Sequence, residues 1–146
     1  MPTNKQFVDF QDLVCNGDID RVRSLIALDP ALVTLENGDN SGLILAADSG
    51  NEEMVKLLLE GGANVNYANE TGDTPLAAAC FSGSIELVKL LLEKGANIEH
   101  VDRFGVSILD NARDHPELVF FLKNFQNQKR LALKSKGWLR FFSTKS

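Results

Sequence analysis

Cysteine and histidine are scarce in this chain, two of each among 146 residues, and that scarcity excludes much metal and nucleophile chemistry. Cys15 and Cys80 lie far apart in the chain with no neighbouring ligand partner, so neither a disulfide framework nor a zinc motif is expected. A reducing compartment suits such a chain, and the cytoplasm is the expected location. No run approaches the roughly 18 apolar residues that a membrane span needs. The first residues, Met1 to Asp9, carry an acid early and lack the apolar core of a secretory signal. Gly61-Gly62 and Gly95 have no Gly-x-x-x-x-Gly-Lys-Ser/Thr pattern around them and read as helix ends, not phosphate loops. The acids are too scattered for a Ca²⁺ loop, which needs oxygen ligands at alternate positions around a glycine. No cofactor or metal is expected.

Acid is missing from one stretch altogether. Residues 128–146 hold six bases (Lys129, Arg130, Lys134, Lys136, Arg140 and Lys145) and no Asp or Glu. Residues 1–127 hold all 20 acids against nine bases, a net charge of −11. An acidic body repels nucleic acid, so none is expected as a partner, whereas a basic tail seeks an anionic surface.

What the chain does have is a repeat. Asn51-Glu52-Glu53-Met54-Val55-Lys56-Leu57-Leu58-Leu59-Glu60-Gly61-Gly62-Ala63-Asn64 returns as Ser84-Ile85-Glu86-Leu87-Val88-Lys89-Leu90-Leu91-Leu92-Glu93-Lys94-Gly95-Ala96-Asn97. A fixed period of about 33 residues means stacked copies of a small unit that cannot bury its apolar face alone. The clearest unit opens with Gly72-Asp73-Thr74-Pro75-Leu76-Ala77-Ala78-Ala79-Cys80. Thr74 can cap a helix, and Pro75 fits its first position, where an N–H has no helical partner to lose. The small residues that follow let this helix approach its neighbours closely. Gly83 ends it, and Ile85 to Leu92 supply a second, more apolar helix.

These residues resemble an ankyrin repeat: the Gly-x-Thr-Pro-Leu opening, the small-residue helix, the Val-x-x-Leu-Leu helix and the Gly-Ala-Asn exit. The resemblance is close over 69–101 and good over 36–68, where Ser41-Gly42-Leu43 replaces Thr-Pro-Leu. Residues 5–35 read as a first, capping unit with a solvated outer face. Residues 102–127 read as a fourth, eroded unit with a shortened middle. The expected fold is all-α: a solenoid of about four helix-turn-helix units with β-turn fingers over residues 1–127. Residues 128–146 are expected to form a separate basic, aromatic tail.

The resemblance also implies a binding face, because ankyrin proteins generally grip partners with finger tips and the exposed side of each first helix. Carried onto this sequence, that face holds Asn37, Gly38, Asn40, Asp48 and Ser49, then Tyr67, Glu70, Thr71, Asp73, Phe81 and Ser82. It continues through Arg103, Phe104, Val106, Asp114 and His115. Aromatic anchors within a charged rim suit a protein interface, and the acidity implies a partner with a basic patch. The alternative is that Phe81 packs against the adjacent helix while the acids merely solvate the array. His100 and His115 read as solvated turn residues, and both cysteines as buried thiols. The expected function is a non-enzymatic protein-binding module, monomeric. An inhibitor or immunity-type neutraliser of a basic toxin or enzyme is one alternative, and an adaptor docked at a membrane is another.

On a helical wheel the tail sorts itself: Leu131, Ser135, Trp138, Leu139 and Phe142 on one side, Arg130, Lys134, Lys136 and Arg140 on the other. Three roles remain open for it. It caps the exposed end of the fourth unit, lies on an anionic membrane, or enters a partner's groove.

Overall fold

The computed structural model describes residues 3–35 and 41–143, with side chains as far as Gly137. Nine helices occur among the described residues: α1 (Asn4–Cys15), α2 (Ile19–Leu28), α3 (Ala31–Thr34), α4 (Gly42–Asp48), α5 (Glu52–Glu60), α6 (Pro75–Ser82), α7 (Ile85–Glu93), α8 (Ile108–Asn111) and α9 (Pro116–Ser143). The inner row packs α1 on α4, α4 on α6 and α6 on α8, while α2, α5 and α7 form an outer row behind it. This is the expected all-α repeat solenoid.

The period is written in the helix starts. Ser41, Thr74 and Ser107 stand one repeat apart, and each side chain accepts a hydrogen bond from a backbone N–H in the first turn, at Ile44, Ala77 and Asp110. Asp18, Asn51 and Ser84 repeat the device for the outer row, capping the N–H groups of Arg21, Met54 and Leu87. Each cap satisfies a donor that the helix itself cannot. Ser41-Gly42 thus does the work of Thr74-Pro75, and Gly42 has its own reason. A Cβ there would lie 3.3 Å from the Phe10 ring, which α1 presses onto the start of α4.

Behind the caps, Met54, Val55 and Leu58 of α5 are repeated as Leu87, Val88 and Leu91 of α7, all buried. The fourth unit is shorter in its middle, and Leu118 and Leu122 of α9 fill the equivalent places, fully buried. Lys89 of α7 stands 5.8 Å from the centre of the Phe121 ring, a cation–π contact that helps seat α9.

Side-chain hydrogen bonds also join neighbouring units. Asn66 accepts from the Asn97 N–H at 2.8 Å and donates to the Gly95 carbonyl at 3.0 Å. The last finger is a small hairpin, with an antiparallel bridge between Val101 and Ser107. Asp102 Oδ1 accepts from the N–H groups of Phe104 (2.8 Å) and Val106 (2.9 Å) inside it.

Three expectations need correction. His100 and His115 are not solvated turn residues. The His100 ring lies 2.7 Å from the Gly72 carbonyl and the His115 ring 3.2 Å from the Phe81 carbonyl, so both tie one unit to the next. Cys80 is buried, but Cys15 is exposed: among the described residues α1 packs on one inner-row helix, α4, whereas α6 packs on two, α4 and α8. The tail does not fold back as a cap over its described length. The backbone crosses residue 127 within α9, and every side chain from Asn127 to Gly137 is exposed.

Candidate interaction groove

Small residues make the groove possible. Ala46 and Ala47 of α4 and Ala77 and Ala79 of α6 are buried where the two helices meet, so the inner row packs tightly. Ile44 and Leu45 of α4 and Ala77 and Ala78 of α6 line an open groove of about 370 Å³. Asp48, Asp73 and Phe81 line it as well, with Asn69 and Asn111. Three of the residues expected on the binding face therefore converge on one concavity.

Phe81 is the most telling of them. It sits in the last turn of α6 and is 67% exposed, so it does not pack away against the adjacent helix. Its backbone is held from the next unit by His115, whose ring meets the Phe81 carbonyl and lies over Gly83. Gly83 ends α6 at a positive φ of 79°, and a Cβ there would stand 2.5 Å from the His115 ring. The place where Phe81 leaves α6 is thus braced from behind.

Asp73 is held by its own finger. Asn69 Oδ1 accepts from the N–H groups of Thr71 (3.1 Å) and Asp73 (2.8 Å). The Thr71 hydroxyl lies 2.7 Å from Asp73 Oδ2 and 2.8 Å from Asn69 Oδ1, and donates to one of them at a time. Asp48 is exposed, and among the described residues neither Asp48 nor Asp73 is ion-paired. Partial desolvation first, then the Asp12 and Asp48 carboxylates, raise the Cys15 thiol above its ordinary value.

The other expected residues do not line this groove. Glu70 and Thr71 are exposed on the third unit's finger, and Tyr67 is half-buried at its base. Arg103 and Phe104 project from the last finger, Phe104 being 77% exposed, and the Arg103 N–H donates to the Thr71 carbonyl. The hydroxyls of Ser49 and Ser82 donate to the Ala46 and Ala79 carbonyls of their own helices, which leaves them little to offer a partner. Asp114 is exposed, 4.0 Å from Arg113. The His115 ring meets the Phe81 carbonyl instead of lining the groove. Asn37 and Asn40 lie outside the described residues, as do the side chains of Trp138, Arg140 and Phe142, while Lys134 is exposed on α9. Reading along the sequence missed Ile44, Leu45, Asn69 and Asn111. The exposed side of a first helix was legible, but the gap between α4 and α6 that these residues line is a product of stacking.

Among the described residues no three His, Cys, Asp or Glu side chains gather around a point where a metal ion could sit. The Cys80 thiol is pushed up to about 12 by burial, so it stays protonated at neutral pH. No helix of the described residues is long and apolar enough to cross a membrane.

Comparison with known proteins gives a consistent picture. A family model described as ankyrin repeats, in three copies, matches residues 10–102. A probable E3 ubiquitin-protein ligase of Oryza sativa subsp. japonica is 40% identical over 67 residues, which is 44% of this chain and 14% of that protein. Protein phosphatase 1 regulatory subunit 27 of Mus musculus is 40% identical over 72 residues, 49% of this chain and 47% of that protein. The chain thus spans less than half the length of each of these relatives.

Proposed function

The chain belongs to the ankyrin-repeat family, whose members generally bind other proteins, and from that premise we propose that it is a non-enzymatic binding module acting through the groove between α4 and α6. The observation that carries this reading is Phe81, an exposed aromatic ring that lines one groove together with Asp48 and Asp73. A rigid aromatic anchor inside a charged rim is the arrangement that concentrates binding energy in protein interfaces. The partner presents an apolar pocket for Phe81 with Lys or Arg around it. Steering by the −11 body makes capture fast and sensitive to salt. The matching regulatory subunit is by its name a protein attached to an enzyme, which supports a role on another protein rather than on a small substrate. Neutralising a basic enzyme is one way such a module acts, and the identity of the captured protein decides it.

The test is affinity capture from the source cell with the native protein and with Asp48→Lys, Glu70→Lys and Asp73→Lys combined. The reversed protein is expected to lose the partner that the native protein holds at low salt. A second variant, Asp48→Lys with Glu70→Lys, changes exposed residues alone and guards against misfolding. If both variants retain the same partners at the same salt tolerance, the acidic groove is not the binding site.

A further inference from the structure

α5 and α7 each stop after nine residues, whereas α9 runs for 28. Its first turns are accounted for by the core, through Leu118 and Leu122. The extension is not: from Asn127 to Gly137 every side chain is exposed, Leu131 at 65% and Leu133 at 62%. At 100° per residue, Leu131 falls within about 20° of Phe120, which is itself 70% exposed. One line along α9 is therefore free of the array even beside Leu118 and Leu122, and it continues into the apolar stripe of the sequence wheel. Lys129 and Lys136 flank that stripe on one side, Arg130 and Lys134 on the other. No acid follows Glu117 anywhere in the chain.

We propose that the projecting half of α9 lies flat on an anionic lipid surface and holds the repeat array there. This goes beyond the groove, since it involves a different face of the molecule. Charge on both flanks of an apolar stripe suits a helix half-sunk in the interface, where each flank reaches lipid headgroups. A nucleic-acid duplex satisfies the bases but leaves Leu131 and the rest of the stripe in water. A helix-binding protein groove covers the stripe and one flank, not both. From Gln128 to Ser143 the helix advances about 22 Å at 1.5 Å per residue, against a screening length of about 8 Å at physiological salt, so the far end of the basic segment is screened from the acidic body and free to meet anionic headgroups.

The chain contains a single tryptophan, Trp138, so its emission reports on the tail alone. The full-length protein is mixed with vesicles of phosphatidylcholine, or of phosphatidylcholine with phosphatidylserine, at low and molar salt. The expected result is a blue shift and flotation with the anionic vesicles alone, both reversed by salt. Replacing Lys129→Gln, Lys134→Gln and Lys136→Gln together weakens this binding roughly a hundredfold. Leu131→Ser weakens it about tenfold without altering charge. These side chains are all exposed, and an unchanged unfolding midpoint confirms that the fold survives. Absence of flotation, equal flotation with neutral vesicles, or undiminished binding by the triple variant overturns the proposal. So does a tail that shifts a DNA duplex, or docks on a captured protein, while ignoring the vesicles. Loss of groove binding by the acidic-residue variants has no bearing on these outcomes, so the two readings fail separately.

Discussion

Replacing Gly83 by alanine isolates the brace behind Phe81, because Gly50 provides an internal control one repeat earlier. Both glycines follow an inner-row helix at positive φ, 71° at Gly50 and 79° at Gly83. An L-residue in that conformation costs about 1–2 kcal/mol. At Gly50 nothing lies within 4 Å of the added Cβ, so that cost is the whole effect. At Gly83 the new methyl meets the His115 ring at 2.5–2.7 Å, the ring moves aside, and its hydrogen bond to the Phe81 carbonyl is lost. A hydrogen bond of this kind contributes about 0.5–1.5 kcal/mol. Gly83→Ala should therefore destabilise the fold by about 1 kcal/mol more than Gly50→Ala does, in urea unfolding with an unchanged slope. In a His115→Ala background the two substitutions should cost the same. An equal penalty in the native background refutes the brace, and so does a Gly83→Ala penalty indifferent to His115.

Other consequences are open to the same kind of measurement. Thr74→Ala removes a buried helix cap and should lower unfolding free energy by about 1 kcal/mol, with Ser41→Ala matching it if the two caps are equivalent. Asn66→Ala breaks two inter-unit hydrogen bonds and should cost about 1–2 kcal/mol, read from the denaturant midpoint. Folded Cys80 keeps its proton up to about pH 12, while the unfolded thiol releases it near 9.0. The folded state then binds the extra proton between those values, so the stability Cys80 contributes is complete below pH 9 and declines as pH rises towards 12. Comparing native protein with Cys80→Ala across that window should show the steeper decline in the native chain, by up to about 1.4 kcal/mol per pH unit.

The architecture was legible because its determinants are local and recur. Ser41, Thr74 and Ser107 cap their helices through side chains that serve an N–H in the very next turn, and nothing distant is needed to recognise that. The corrected features depend on neighbours that sequence does not display. His115 reaches Phe81 because Gly83 leaves room for its ring, a fact of packing between units. Cys15 and Cys80 occupy comparable helices, yet among the described residues α1 packs on one inner-row helix and α6 on two. Residue 127 marks a change of charge, and charge alone does not stop a helix. Gln126, Asn127 and Gln128 offer no proline or glycine to end α9, so it continues. The groove was half visible. Asp48, Asp73 and Phe81 follow from the exposed side of an inner helix and its finger, whereas the lining by Ile44 and Leu45 exists only once α4 and α6 are stacked.

Seating of the proposed partner protein on Phe81 is open to direct capture. A photoreactive phenylalanine analogue placed at Phe81, or at exposed Lys56 on α5, addresses it directly in the source cell. A protein adduct that forms from position 81, fades with added salt and is missing from position 56 is the predicted result. An adduct of equal yield from both positions, or from position 56 alone, contradicts it.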